Sequence, residues 1–212
     1  MAYNKNKSPY SASFTGCALM FYEMNAVLPL MMDADVDNLL KEEAEKRTYL
    51  KVNTATAAKK ILSEFRRRYK AVPREFWDWY LMQNENCQRV ALLYVILKTY
   101  QLLFYFHVNV SLKKWNSSNH HLTSNDLLMA YYELASQDEF VDSWTEKTRG
   151  KVISSYQTIL RQCGFLSDSG ELQTVRIPAS GYSYYVKNGE TWFLEACLLK
   201  PYEIEEIKKA QL

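Results

Sequence analysis

Apolar positions recur along most of this chain at helical spacing, and the polar residues between them mark where each helix should start and stop. The longest apolar run, Cys87 to Val110 (CQRVALLYVILKTYQLLFYFHVNV), points Val90, Leu93, Tyr94, Leu97, Leu102, Phe104 and Tyr105 in several directions. That predicts one central helix covered by neighbours almost all round. Lys98 and Gln101 at its middle and His107 near its end oppose a membrane span, because a charge at mid-bilayer costs about 2.5–3.5 kcal/mol. Ahead of it the pattern predicts a helix from about Gly16 that Pro29 disturbs, then one after the acidic run with Val36, Leu39, Leu40 and Ala44 inward. Thr54 or Thr56 caps the next, whose inner face is Ala58, Ile61, Leu62, Phe65, Tyr69 and Val72. Pro73 opens a short helix with Phe76, Trp77, Tyr80 and Leu81 on its apolar side.

Beyond the central run, KKWNSSNHHLTS is polar and rich in small residues. The expected organisation is a flexible arm over 1–12, a helical bundle over 13–118 and a second domain over 119–212. Thr123 with Asp126 forms a capping-box start for a helix with Leu127, Leu128, Tyr131, Leu134 and Ala135 inward. The short piece DEFVDSW leads to a longer helix that ends at Gly164. After Gly164, FLSDSGELQTVRI and SGYSYYVK alternate in strand fashion around turns at SDSG and PASG. Three helices followed by a hairpin is the order of a winged helix-turn-helix. The fold class read from the pattern is therefore mainly α, a helical bundle around a buried central helix, with a C-terminal winged helix carrying a small β-hairpin.

Composition supports long helices, since the chain has only six Gly and five Pro in 212 residues. Cys17, Cys87, Cys163 and Cys197 are widely spaced beside apolar residues, which suits reduced core thiols and a cytoplasmic protein. The N-terminus lacks the apolar stretch and small-residue cleavage site of a signal peptide. No membrane contact is expected.

The net charge of +2 conceals local imbalance. Between Lys51 and Arg74, eight Lys or Arg accompany the single acid Glu64, Lys59, Ser63, Arg66, Arg67 and Lys70 fall along one stripe of their helix, and Lys60 is a further candidate contact. In the long late helix, Lys147, Lys151, Ser154, Thr158 and Arg161 make a stripe without an acid, flanked by Arg149. Thr145, Lys147, Thr148 and Gly150 crowd its amino-terminal end, where helix N–H groups and cations both suit phosphate. Arg176 and Lys187 are the wing cations for phosphate contact. Double-stranded DNA is thus the expected partner. An adaptor role through Phe76, Trp77 and Trp79, or RNA binding, are the alternatives.

No metal, cofactor or catalytic constellation is expected. Asp33, Asp35 and Asp37 alternate as in a calcium loop, but Asn38 stands where the loop needs Gly and Ala44 where it needs Glu. His120 and His121 lack companion ligands. There is no H-E-x-x-H or P-loop.

Four segments together, YSASFTGCALMFYE, TATAAKKILSEFRRR, VILKTY and WTEKTRGKVISSYQTILRQCGFL, resemble the BrxA family, small proteins of the bacterial BREX phage-defence systems. The resemblance implies a small helical protein with a winged-helix portion, a non-enzymatic DNA-binding role, and other BREX proteins as partners.

Overall fold

The computed structural model describes residues 8–211. A 3₁₀ turn, Ser13–Gly16, precedes α1 (Phe21–Met32), α2 (Val36–Lys46), α3 (Ala55–Lys70), α4 (Arg74–Leu81) and α5 (Glu85–Thr99). Then α6 (Gln101–Phe106) continues through a π-helical segment, His107–Leu112, into α7 (Lys113–Trp115). Next come α8 (Ser124–Ala135), α9 (Glu139–Asp142) and α10 (Glu146–Cys163), and a second 3₁₀ turn, Ala179–Tyr182, leads to α11 (Ser183–Lys187), α12 (Trp192–Ala196) and α13 (Pro201–Lys209). The buried apolar side chains form one cluster from Phe14 to Ile204. Of the arm expected over 1–12, residues 1–7 lie outside the described residues, while Tyr10 and Ala12 pack against the core.

Local chemistry sets most helix ends where the residue types place them. Thr54 Oγ1 accepts the amide of Ala57 at the start of α3, and Thr123 and Asp126 form a reciprocal capping box on α8. Gly164 closes α10 at φ 87°, a left-handed conformation that costs glycine little. Leu40 and Ala44 of α2 and the predicted inner face of α3 point into the core, with Tyr69 half-buried. Pro29 does not end α1; three residues from the helix end it removes one backbone hydrogen bond and its ring stays exposed.

The central apolar run is two helices, not one. Tyr100 adopts φ −121°, ψ 101° between α5 and α6, and the chain turns there by 109°. Neither Pro nor Gly causes the break. Tyr100 is buried, its ring lies 5.2 Å from that of Phe14, and its hydroxyl donates to Glu64 Oε2 at 2.8 Å. Among the described residues no single helix is long and apolar enough to cross a membrane; the bent pair is so by length and composition only, and Val90 to Leu97 of α5 are all buried in the core.

The same corner holds a buried cation. Arg68 is 1% exposed. Its guanidinium donates to the carbonyls of Leu19 at 2.9 Å and Cys17 at 3.0 Å, to that of Ala18, and to Tyr100 Oη at 3.2 Å. Met20, next in line, has φ 47°, so the Arg68 donors meet a strained, non-helical stretch whose carbonyls would otherwise be buried without partners. Glu64 supplies the compensating charge through Tyr100.

The winged hairpin does not form. Among the described residues no β-strand occurs, only isolated antiparallel bridges at His121–Glu171 and Leu166–Leu172 around the SDSG turn. Pro178 lacks an N–H, and the stretch 179–187 is helical because Tyr184 and Tyr185, adjacent in sequence, are both buried. A strand would turn one of them to solvent. They pack instead among Phe76, Trp79 and Tyr94.

Two substitutions test this core. Leu97→Asp, at a position 2% exposed, is expected to abolish cooperative unfolding in urea followed by circular dichroism. Arg68→Met, which strands the three carbonyls, is expected to cost about 3–5 kcal/mol. Wild-type midpoints in either variant would contradict the arrangement.

Candidate nucleic-acid interface

α10 is an 18-residue helix held at both ends, by Thr145 as N-cap and Gly164 as C-cap. Val152, Tyr156, Ile159, Leu160 and Cys163 are buried against α5, α8 and the first 3₁₀ turn. At 1.5 Å per residue, Lys147 and Arg161 stand about 21 Å apart along the opposite face.

A buried hydrogen-bond chain fixes the inner side of α10. His107 is fully buried in the π-helical segment, with Nε2 2.7 Å from the Ala196 carbonyl and Nδ1 3.0 Å from Tyr156 Oη. A carbonyl only accepts, so Nε2–H donates and Nδ1 accepts the Tyr156 proton. Ser111 Oγ, 2.7 Å from Tyr156 Oη, then donates to it. The chain ties α10 to α12. Burial pushes the His107 pKa down to about 4 and raises that of Tyr156.

On the outer side, Lys147, Lys151, Ser154 and Arg161 are exposed and Thr158 is half-buried. The three cations of this stripe have no ion-pair partner among the described residues. Arg149 is half-buried, its guanidinium 5.5 Å from the Tyr132 ring centroid and 5.9 Å from that of Tyr131. The aromatic faces hold it without neutralising it. The amino-terminal end is less suited to phosphate than its residue types imply. Thr145 Oγ1 is occupied by the Thr148 amide at 3.2 Å and lies 3.0 Å from the Thr148 hydroxyl, and Glu146 puts a carboxylate in the first turn.

The basic face of α3 differs. Lys59 pairs with Glu45 at 2.7 Å, Arg66 with Asp37, and Arg67 sits 3.7 Å from Glu64 while donating to Ser13 Oγ. These pairs lower the carboxyl pKa of Asp37, through the hydrogen bond from Arg66, and of Glu45, through that from Lys59. Two of those acids come from α2, so the acid-free stretch in sequence is not an acid-free surface in space. Lys60 and Lys70 stay exposed with no ion-pair partner among the described residues, and Arg68, in the same run, faces inward.

Arg176 and Lys187 are exposed but do not lie on a wing. Arg176 lines a groove with Glu203 and Glu206 of α13, and Lys187 ends α11. The aromatic surface expected on α4 does not form, since Phe76 and Trp77 are fully buried and the half-buried Trp79 packs tilted on Tyr184 and edge-on to Tyr185, while Leu81, expected inward, is 49% exposed. Lys98 was legible only as a charge lodged in an apolar run; it is exposed at the end of α5, beside Lys70 and paired with Glu190 at 2.6 Å. Asp33, Asp35 and Asp37 form a helix start, where Asp33 Oδ1 accepts the Asp35 amide at 2.8 Å.

The family model for BrxA matches residues 8–189. The chain belongs to the BrxA family. One curated member, named BREX protein BrxA, from Bacillus cereus (strain H3081.97), is 28% identical over 164 residues, covering 75% of this chain and 80% of that protein. The BrxA fold is also seen in a crystal structure of an uncharacterized protein from Magnetospirillum magneticum, with a TM-score of 0.75 and 19% identity over 90% of this chain and 98% of that one. At that identity the likeness is one of fold.

The His107 chain makes a pH prediction for this BrxA-family protein. With its folded pKa below the ordinary 6.5, His107 stabilises the fold fully above about pH 6.5, and that contribution is lost as pH falls towards about 4, because the unfolded chain takes the proton first. Unfolding free energies from urea titrations at pH 7 to 4 should therefore fall more steeply in wild type than in His107→Gln, by about 3 kcal/mol across the window. Parallel curves would contradict the assignment.

Proposed function

We propose that this chain is a non-enzymatic, double-stranded DNA-binding component of a bacterial BREX phage-defence system, acting in the cytoplasm alongside other BREX proteins. The defence role is supported by family membership and by the name of the Bacillus cereus relative, BREX protein BrxA, 80% of whose length the chain matches.

The observation that carries the DNA reading is the outer face of α10. Lys147, Lys151 and Arg161 form a rod of charge without partner acids among the described residues, and Arg149 is held beside it by two tyrosines. Cations spaced along about 21 Å of helix can neutralise several backbone phosphates at once. Each neutralised phosphate releases condensed counterions, so affinity falls with salt with a log–log slope of about −0.9 per phosphate. Most of these contacts read charge and not base edges, so sequence preference is modest. The α3 face contributes less, because three of its cations must first exchange a carboxylate for a phosphate.

The non-enzymatic reading is supported by the state of the reactive side chains. Cys17, Cys87, Cys163 and Cys197 are all buried, and burial raises every thiol, that of Cys163 to about 12. A thiol so placed is a poor nucleophile. His107 is committed at both ring nitrogens.

Fluorescence anisotropy with a labelled duplex across a salt series tests the proposal. Arg149→Glu with Lys151→Glu is expected to weaken binding at least about tenfold at low salt and to flatten the slope by about 2. Arg66→Glu with Arg67→Glu is expected to do less. Unaltered affinity and slope in the first variant would remove the α10 interface, and tighter binding of RNA than of duplex DNA at matched ionic strength would replace the assigned ligand.

A further inference from the structure

Along the exposed side of α3 the surface is hollow in two adjoining places. One is a cleft of about 390 Å³ whose exposed walls are mostly apolar, built by Gly16, Cys17, Ala57 and Ile61, with Ser13, Lys60, Ser63 and Glu64 as its polar residues. The other, of about 470 Å³, is lined by Arg66, Arg67, Lys70 and Lys98 together with the hydroxyl residues Ser63 and Thr99. Ser63 belongs to both linings, so the hollows lie side by side along α3.

We infer that this double hollow is a nucleotide site, taking the base and sugar of a free nucleoside di- or triphosphate in the apolar cleft and its phosphates in the cationic one. The two halves have complementary chemistry. The first has the volume and the mainly apolar walls with few polar groups that small-molecule sites show. The second contains no carboxylate in its lining: the partners Asp37, Glu64 and Glu190 reach Arg66, Arg67 and Lys98 from outside it. The Arg66–Asp37 pair is exposed and the Lys98–Glu190 pair half-exposed, and ion pairs so close to solvent are weak enough to yield to a phosphate. Lys70 has no ion-pair partner among the described residues and is exposed. Once Asp37, Glu64 and Glu190 give up Arg66, Arg67 and Lys98, the four cations together exceed the charge of a single phosphate, which favours a di- or triphosphate over a phosphorylated strand end. From Lys60 to Lys70 the helix rises about 15 Å, comparable with an extended nucleoside triphosphate. Duplex binding by α10 is a separate matter and the inference does not depend on it.

Calorimetric titration of the full chain with ATP, with inorganic triphosphate and with a 5′-phosphorylated hexanucleotide tests it. ATP is expected to bind a single site at least about tenfold more tightly than triphosphate, the difference being the share of the apolar cleft. Ala57→Phe fills that cleft and should erase the advantage while leaving triphosphate binding in place. Lys70→Glu, on an exposed side chain, should weaken ATP and triphosphate alike by about tenfold. No saturable ATP binding, ATP binding no tighter than triphosphate, or ATP affinity unchanged in both variants would overturn the inference, and a hexanucleotide that displaces ATP at lower concentration would overturn the assignment to a free nucleotide.

Discussion

Arg68 donates from inside the core to three successive carbonyls, those of Cys17, Ala18 and Leu19, and to the hydroxyl of Tyr100. A buried guanidinium is costly unless its donors are matched, and here the matched groups are backbone oxygens that could find no other partner. The consequence is architectural. The cage holds the stretch that follows the first 3₁₀ turn, and that turn contacts both α3 and α10. It also pins the residue at which the chain bends by 109° between α5 and α6. The two basic helices thus take their places from one side chain on α3.

The second fixed point is apolar and aromatic, with a polar thread. Tyr156 joins Ser111 and His107 in a chain that ends on the carbonyl of Ala196, so α10 cannot rotate without leaving buried groups unpaired. Rigidity on the inner face matters for the outer one, because cations presented to a phosphate backbone bind best when little ordering remains to be done.

Local features were legible in the residues. Thr54, Thr123 with Asp126, and Gly164 announce helix ends through bonds made within four residues, and the inner face of α3 follows from spacing alone. What depends on distant partners was not. Nothing near Tyr100 signals a break, because its cause is Arg68 and Glu64, more than thirty residues earlier. Alternation in SGYSYYVK suggests a strand, yet two neighbouring tyrosines are claimed by the aromatic cluster around Tyr94, and a helical turn satisfies both. The same limit governs the site. The α10 stripe was visible as an acid-free pattern and stays unpaired in space, whereas the α3 stripe looks equally basic in sequence and is met by Asp37 and Glu45 of α2. Family membership follows from the match over 8–189 and leaves that distinction to geometry.

The central claim is that an unpaired cationic face on α10 meets the duplex. Lysine acetylation read by mass spectrometry, with and without a saturating DNA duplex, tests it most directly. Lys147 and Lys151 should be protected by the duplex, and Lys59, already paired with Glu45, should keep its reactivity. If Lys147 and Lys151 react as fast with the duplex as without it, α10 is not the interface.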